Sequence, residues 1–330
     1  MPSPVDVIRL LADGQVHSGT ELAAALGCSR TAVWKQCKPL GELGLDVAAL
    51  PGKGYQLHDP VDLLDPISIQ DLLRLRGQAA LVQELVLEPV ADSTSEMLRR
   101  APAPDRGQMR VALAEFQHKG RGRRGRGWVS PFGSGLCLSV SWSMEPGAGG
   151  LAGLSLALGV AVQACLSGFG AHGVGLKWPN DLIVDGAKLG GLLLDLEGEA
   201  DGPIKLVAGR GINVRTHPGL RAAVLSGDAL PPITLDECCA GPVARNTLAA
   251  ELTCALGSAL VTFERDGFSP FAEAWRRADV LHGKAVRVKV GNRSCVGEAR
   301  GIAPDGALMV ARDGAVESVM SVDVSVRISQ

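Results

Sequence analysis

The chain has 330 residues, a formal net charge of −2, and 46% hydrophobic against 21% charged residues. That composition excludes a disordered chain and a general polyanion-binding surface, and it leaves room for two or three domains with a real core. Its eight cysteines include no C-x-x-C pair, so their spacing supports neither a zinc site nor a disulfide framework. Cys238-Cys239 reads as a helix flank. No basic segment followed by an apolar core stands at Met1-Pro2-Ser3-Pro4, and the most apolar stretch, 151–169, is broken by Gly, Ser and Gln163. The expectation is a buried helix there, a cytoplasmic protein and no membrane.

Residues 5–11 repeat apolar side chains at helical spacing, Ser18 can cap a helix over 21–26, and Ser29 can cap a third over 31–37. Helix, glycine-containing turn and helix form a helix-turn-helix pattern. A strand at 45–50, the turn Pro51-Gly52-Lys53-Gly54 and a strand at 55–57 add a wing. Pro39 and Gly41 cut the third helix short or kink it. Residues 59–65 read as a hinge. Beyond it strands are predicted at 84–88, 110–115 and 136–142, helices over 151–166 and over 246–265 with Asn246 as a cap, and a hairpin of 192–196 with 204–208. The sheet is therefore partly antiparallel. Short strands with Gly/Asn/Asp turns over 284–330 predict a small β-barrel.

The densest chemistry lies at Lys119 to Arg126, five cations in eight residues spaced by glycines and followed by Gly127-Trp128. No acidic residue occurs between Glu115 and Glu145, so nothing adjacent in sequence neutralises it. Glycine-spaced guanidinium forks and backbone N–H groups suit phosphates and carboxylates. Gly120-x-Gly122-x-x-Gly125 also matches a dinucleotide fingerprint, but that motif must open a helix, and Gly127-Trp128-Val129-Ser130-Pro131 cannot. A solvated basic loop touching nucleic acid is the plain alternative.

Other segments carry polar residues in a matching order: Asp92-Ser93-Thr94-Ser95, Glu115-Phe116-Gln117, Lys177-Trp178-Pro179-Asn180-Asp181, Lys188-Leu189-Gly190-Gly191 and Gly209-x-Gly211-Ile212-Asn213. Together with the arginine loop, this chain resembles a biotin–protein ligase from about residue 5 to its end. With the winged helix in front, it resembles the bifunctional type that also represses the biotin operon. The resemblance implies an α+β protein with a winged helix-turn-helix at 1–63, a mixed-sheet, class II synthetase-like ligase domain at 64–281 and an SH3-like barrel at 282–330. It implies activation of biotin by ATP, with Mg2+, and transfer to a lysine of the biotin carboxyl carrier protein of acetyl-CoA carboxylase.

Residue by residue, the resemblance gives Ser93, Thr94, Ser95, Gln117, Arg121, Gly122, Arg123, Lys188 and Gly190 to biotin. Ser93-Thr94 also reads as a plain helix cap. Arg123, Arg124, Arg126, Trp128, Lys177, Asn180, Asp181, Asn213 and Arg327 go to the nucleotide. Lys188, Arg121 and Arg123 are the implied catalytic cations, stabilising charge at the α-phosphate and the carboxylate. No carboxylate cage for a metal is visible, in keeping with a metal held by phosphates. Three departures stand out: Ser95 where relatives often carry Asn, Gly127 where they often carry Lys, and a 220–232 segment with Pro231-Pro232 and no tryptophan to stack on adenine. Relatives homodimerise by pairing sheet edges, and the 192–208 hairpin is the expected edge.

Residues 1–60 carry five Lys/Arg against six Asp/Glu, so the basic footprint is local. Ser29, Arg30, Thr31, Trp34, Lys35 and Lys38 form the expected DNA-reading face, with operator DNA as partner. Two alternatives remain open: a lipoate- or octanoate-attaching ligase on the same fold, and a biotin sensor that acts only as a repressor.

Overall fold

The computed structural model describes residues 3–145, 151–198, 203–222, 230–290, 293–320 and 324–328. At the N-terminus, α1 (Pro4–Leu11), α2 (Gly19–Ala25) and α3 (Arg30–Cys37) pack on the hairpin β1 (Val47–Leu50) and β2 (Gly54–Leu57). The caps are where the sequence put them: the Ser18 and Glu21 side chains form a capping box, and Ser29 Oγ accepts from the Ala32 N–H. Helix α3 stops at Cys37, and Pro39 sits in a 3₁₀ turn, Lys38–Leu43, closed by Gly44 in the left-handed region at φ 85°. The small core of Val7, Ile8, Leu11, Leu22, Val33 and Leu40 is sealed by Phe132, which belongs to the next domain.

The hinge is held by a buried ion pair. Arg245 Nη2 lies 2.7 Å from Glu115 Oε2, with both side chains almost wholly buried. Arg245 also donates to the carbonyls of Asp62 and Gly135, and Glu115 Oε1 accepts from the Leu64 N–H. Asn246, expected from sequence to cap its helix, does not; the N-cap is Ala244. Asn246 lies inside the first turn, where Oδ1 accepts from Asp65 N–H and Nδ2 donates to the Leu63 carbonyl.

The central domain continues with α4 (Pro66–Leu75), β3 (Val82–Ala91), α5 (Thr94–Arg100), β4 (Met109–Gln117), β5 (Gly135–Met144) and α6 (Leu154–Gly168). Then come β6 (Gly175–Lys177), β7 (Asp181–Val184), β8 (Ala187–Glu197), β9 (Ile204–Asn213), α7 (Pro218–Ala222), α8 (Leu235–Cys238), α9 (Arg245–Asp266) and α10 (Ala272–Ala278). The sheet runs β3-β4-β5-β9-β8-β7-β6, parallel between β3 and β4 and antiparallel elsewhere. Helices α4, α6 and α9 cover one face, where Val111, Leu113, Leu138 and Val140 point. Helix α5 covers part of the other, with Leu98 on Ala112 and Val207. Covered on both faces, β5 is buried almost throughout. Helix α9 is long and apolar enough to cross a membrane by length and composition, and here it packs against α4, α6 and β5.

The expected hairpin edge is only half an edge. β8 and β9 lie inside the sheet, but β7 pairs with β8 no further than Gly191. From Leu193 to Glu197, β8 therefore has a strand on one side only among the described residues. The last domain is an antiparallel sheet of β10 (Ala285–Val290), β11 (Arg293–Ile302), β12 (Leu308–Arg312), β13 (Ala315–Val319) and β14 (Val324–Ile328), in the order β13-β12-β11-β10-β14. Among the described residues β13 and β14 do not pair, so the closure of the predicted barrel is not seen.

Candidate active site and an exposed helix face

One cavity lies over the face of the sheet shared with α5. Its wall includes Ser93, Thr94, Ser95, Gln117, Arg121, Gly122, Arg123, Arg126, Trp128, Asn180, Asp181, Lys188 and Asn213, so segments spread over about 120 residues of sequence converge there. The floor is the β9 run Gly209-Arg210-Gly211. A Cβ on Gly211 would overlap the Trp128 indole, and one on Gly209 would overlap the Ser95 hydroxyl. Both glycines are required by close approach.

At one end, Thr94 donates from its N–H to Gln117 Oε1 at 2.8 Å, and its hydroxyl lies 2.7 Å from Ser139 Oγ, which also meets Ser95 Oγ at 3.1 Å. Ser93 occupies the N-cap of α5 without a side-chain cap bond, so the plain capping role is not realised. At the other end, Lys188 Nζ lies 2.6 Å from Asp181 Oδ1 and 5.9 Å from the centroid of the Trp128 ring. Asn213 Nδ2 donates to the carbonyls of Lys188 and Ile233, both at 3.1 Å. Asn213 Oδ1 and Trp128 Nε1 are buried with no partner among the described residues.

The arginine loop is a closed hairpin: Trp128 N–H donates to Gly120 O at 2.8 Å and Gly122 N–H to Arg126 O at 2.7 Å, around a short 3₁₀ turn at Arg123–Gly125. No long helix follows it, so the dinucleotide fingerprint fails. Acids absent from the local sequence arrive from other elements. Arg121 Nη2 pairs with Asp195 Oδ2 at 3.1 Å and approaches Glu96 Oε2 at 3.7 Å, and Lys119 Nζ meets Asp92 Oδ2 at 3.1 Å. These pairs pin the loop to β8 and α5.

Several expected residues lie elsewhere. Gly190 is not on the cavity wall; Gly191 is, and Gly190 is pressed against the Gly211 carbonyl. Lys177 is buried in β6 outside the wall. The side chains of Arg124 and Arg327 lie outside the described residues; the backbone of Arg327 pairs with Arg287. Of the 220–232 segment, Leu220, Leu230 and Pro232 reach the wall, and Pro231 O accepts from Lys188 N–H at 2.7 Å; residues 223–229 lie outside the described residues. Ser139 and Arg210 escaped sequence reasoning. Among the described residues, no three His, Cys, Asp or Glu side chains are grouped to hold a metal. The eight cysteines are free, and burial pushes the Cys137 thiol up to about 11, which keeps it inert.

On the N-terminal domain, Ser29, Arg30, Thr31, Trp34, Lys35 and Lys38 are all exposed. Within α3 they fall at helical spacing on one continuous face, and Arg30, Thr31 and Trp34 border a cleft against the wing at Ala49 to Tyr55.

Residues 87–202 match the Biotin/lipoate A/B protein ligase family, residues 6–56 an HTH domain and residues 281–327 the Biotin protein ligase C terminal domain. The bifunctional ligase/repressor BirA of Salmonella typhimurium is 39% identical over 98% of this chain and 97% of its own length. The BirA of Escherichia coli is also 39% identical, over the same shares. Among solved structures, the biotin protein ligase of Aquifex aeolicus in complex with biotin and ATP is 26% identical, with a TM-score of 0.62 over 75% of this chain and 100% of that one. With that identity over nearly its whole length and all three domains matched, the chain belongs to the biotin protein ligase family and has the domain composition of its bifunctional ligase/repressor members.

Proposed function

We propose that this protein activates biotin with ATP to biotinyl-5'-adenylate and transfers biotin to a lysine of the biotin carboxyl carrier protein of acetyl-CoA carboxylase. The observation that carries the reading is the convergence of Lys188, Trp128 and the arginine loop on one cavity whose far end is a neutral hydroxyl and amide network. An uncharged ureido ring needs neutral hydrogen-bonding groups, supplied by Ser93, Thr94, Ser95 and Gln117. The biotin carboxylate then attacks the α-phosphorus, the bond to the bridging oxygen breaks, and pyrophosphate leaves with the electron pair. Two anions must meet in this step, and Lys188, Arg121 and Arg123 offset their repulsion. Trp128 covers the adenylate, while Asn180, Arg126 and Asn213 hold the nucleotide. In the second half-reaction the carrier amine attacks the acyl carbon beside Asp181, and AMP leaves. Magnesium would be carried by the phosphates of ATP and would screen their charge, which suits a wall whose one carboxylate among the described residues is Asp181.

The exposed face of α3 binds operator DNA, making the same chain a repressor of biotin synthesis. A homodimer forms through the free half of β8, and the protein works in the cytoplasm. The test is pyrophosphate release with biotin, lipoate and octanoate in turn, followed by a gel shift on the upstream region of the biotin genes. Release with biotin alone is expected. Release with lipoate or octanoate and none with biotin would overturn the ligase assignment, and adenylate formation without transfer to any carrier would leave a sensor.

A further inference from the structure

Of the five tryptophans in the chain, Trp142, Trp178 and Trp275 are almost wholly buried and Trp128 lies on the cavity wall, while Trp34 is 53% exposed. It is the fifth residue of α3, a helix whose one buried side chain is Val33. Arg30 stands one turn before it and Lys38, the C-cap, one turn after, so a row at helical spacing carries a cation, an indole and a cation. Ala49, Leu50 and Pro51 of the wing line the other side of the adjoining cleft and leave the ring uncovered. An aromatic ring offers a large apolar contact area, and interfaces concentrate their energy on side chains of this kind. Folding does not use this one.

We propose that Trp34 is a specificity-determining residue that reads thymine in the operator, its ring packing on the C5-methyl group in the major groove. The proposal rests on the DNA-binding reading of α3. Arg30 and Lys38, at the two ends of the row, suit phosphates, which fix the register of a helix on the duplex and carry no sequence information. The side chain between them is the one presented to base edges. Those edges display hydrogen-bond donors and acceptors and one apolar group, the thymine methyl. An indole has a single N–H and no acceptor, so it cannot form the bidentate pairs that read guanine or adenine. What it supplies is apolar contact, and that contact favours thymine over cytosine at the same position.

The test is a gel-shift scan of the upstream region of the biotin genes with uracil replacing one thymine at a time, which deletes the methyl group and keeps the base pair. In the parent chain a few replacements should each weaken binding about fourfold, the worth of one buried methyl group, and the others should change nothing. Trp34→Ala should bind the unmodified region about tenfold more weakly and be indifferent to those same replacements. Its slope of log affinity against log salt should match the parent's, because an indole releases no counter-ion. Trp34→Phe, which keeps an apolar ring without the N–H, should keep the sensitivity to uracil. A flat scan in the parent, equal uracil losses in the parent and Trp34→Ala, a salt slope lowered by about 1 in Trp34→Ala, a Trp34→Phe chain blind to uracil, or a Trp34→Ala chain that fails to fold would each overturn the proposal. A parent chain that binds the upstream region no better than an unrelated duplex would instead sink the DNA-binding reading on which it stands.

Discussion

The cavity and the exposed face of α3 are both cationic, and they differ in what their cations already hold. In the cavity Lys188 is paired with Asp181 and Arg121 with Asp195, so a ligand must exchange partners and fit a preset geometry. On α3 and at its C-cap, Arg30, Lys35 and Lys38 are exposed and make no ion pair among the described residues. Such a stripe binds phosphates by releasing counter-ions, with little preset geometry and strong salt dependence. A paired cation therefore marks the site that must discriminate, and an unpaired stripe marks the one that must first attract.

The largest effect should come from the hinge that serves both regions. Arg245→Ala leaves Glu115 buried without its partner and should cost about 3–5 kcal/mol in denaturant unfolding, degrading ligase and DNA activities together. If it left one intact, the two regions would be independent units. Lys188→Ala should reduce pyrophosphate release about 10²–10³-fold; a loss below about tenfold would break the catalytic side of the comparison. Lys35→Ala and Lys38→Ala should each lower the slope of log affinity for operator DNA against log salt by about 1, with adenylation unchanged. The smallest effect is expected from Ser29→Ala. It removes the cap bond from Ala32 N–H and should cost about 1 kcal/mol in thermal unfolding of the chain, with no change in adenylation.

Much of both regions was legible in the sequence because their chemistry sits in short runs. The arginine loop, Asn180-Asp181 and Ser29 to Lys38 lie in runs the sequence singles out, although Lys177 of the same run as Asn180 falls outside the wall, and the capping serines mark the helix starts. What sequence could not give was pairing across the fold. The acids that pin the loop, Asp195 and Glu96, come from β8 and α5, so a loop with no local counter-charge turned out to be partly neutralised. Asn246 has the composition of a cap, yet its bonds to the hinge backbone at Leu63 and Asp65 hold it inside the first turn, two residues past the N-cap. Ser139 lies in a strand that alternates at period two, with no local signal that sets it apart, and it is buried because β5 is covered on both faces. Arg210, between glycines, has the signature of an exposed loop charge, and only the strand register shows that it points inward.

The most direct test of the central claim is the mass of an apo biotin carboxyl carrier domain after incubation with this protein, biotin and magnesium-ATP. An increase of one biotin, absent without ATP and lost with Lys188→Ala, is the predicted result. An unchanged mass, or an increase seen with lipoate in place of biotin, would contradict it.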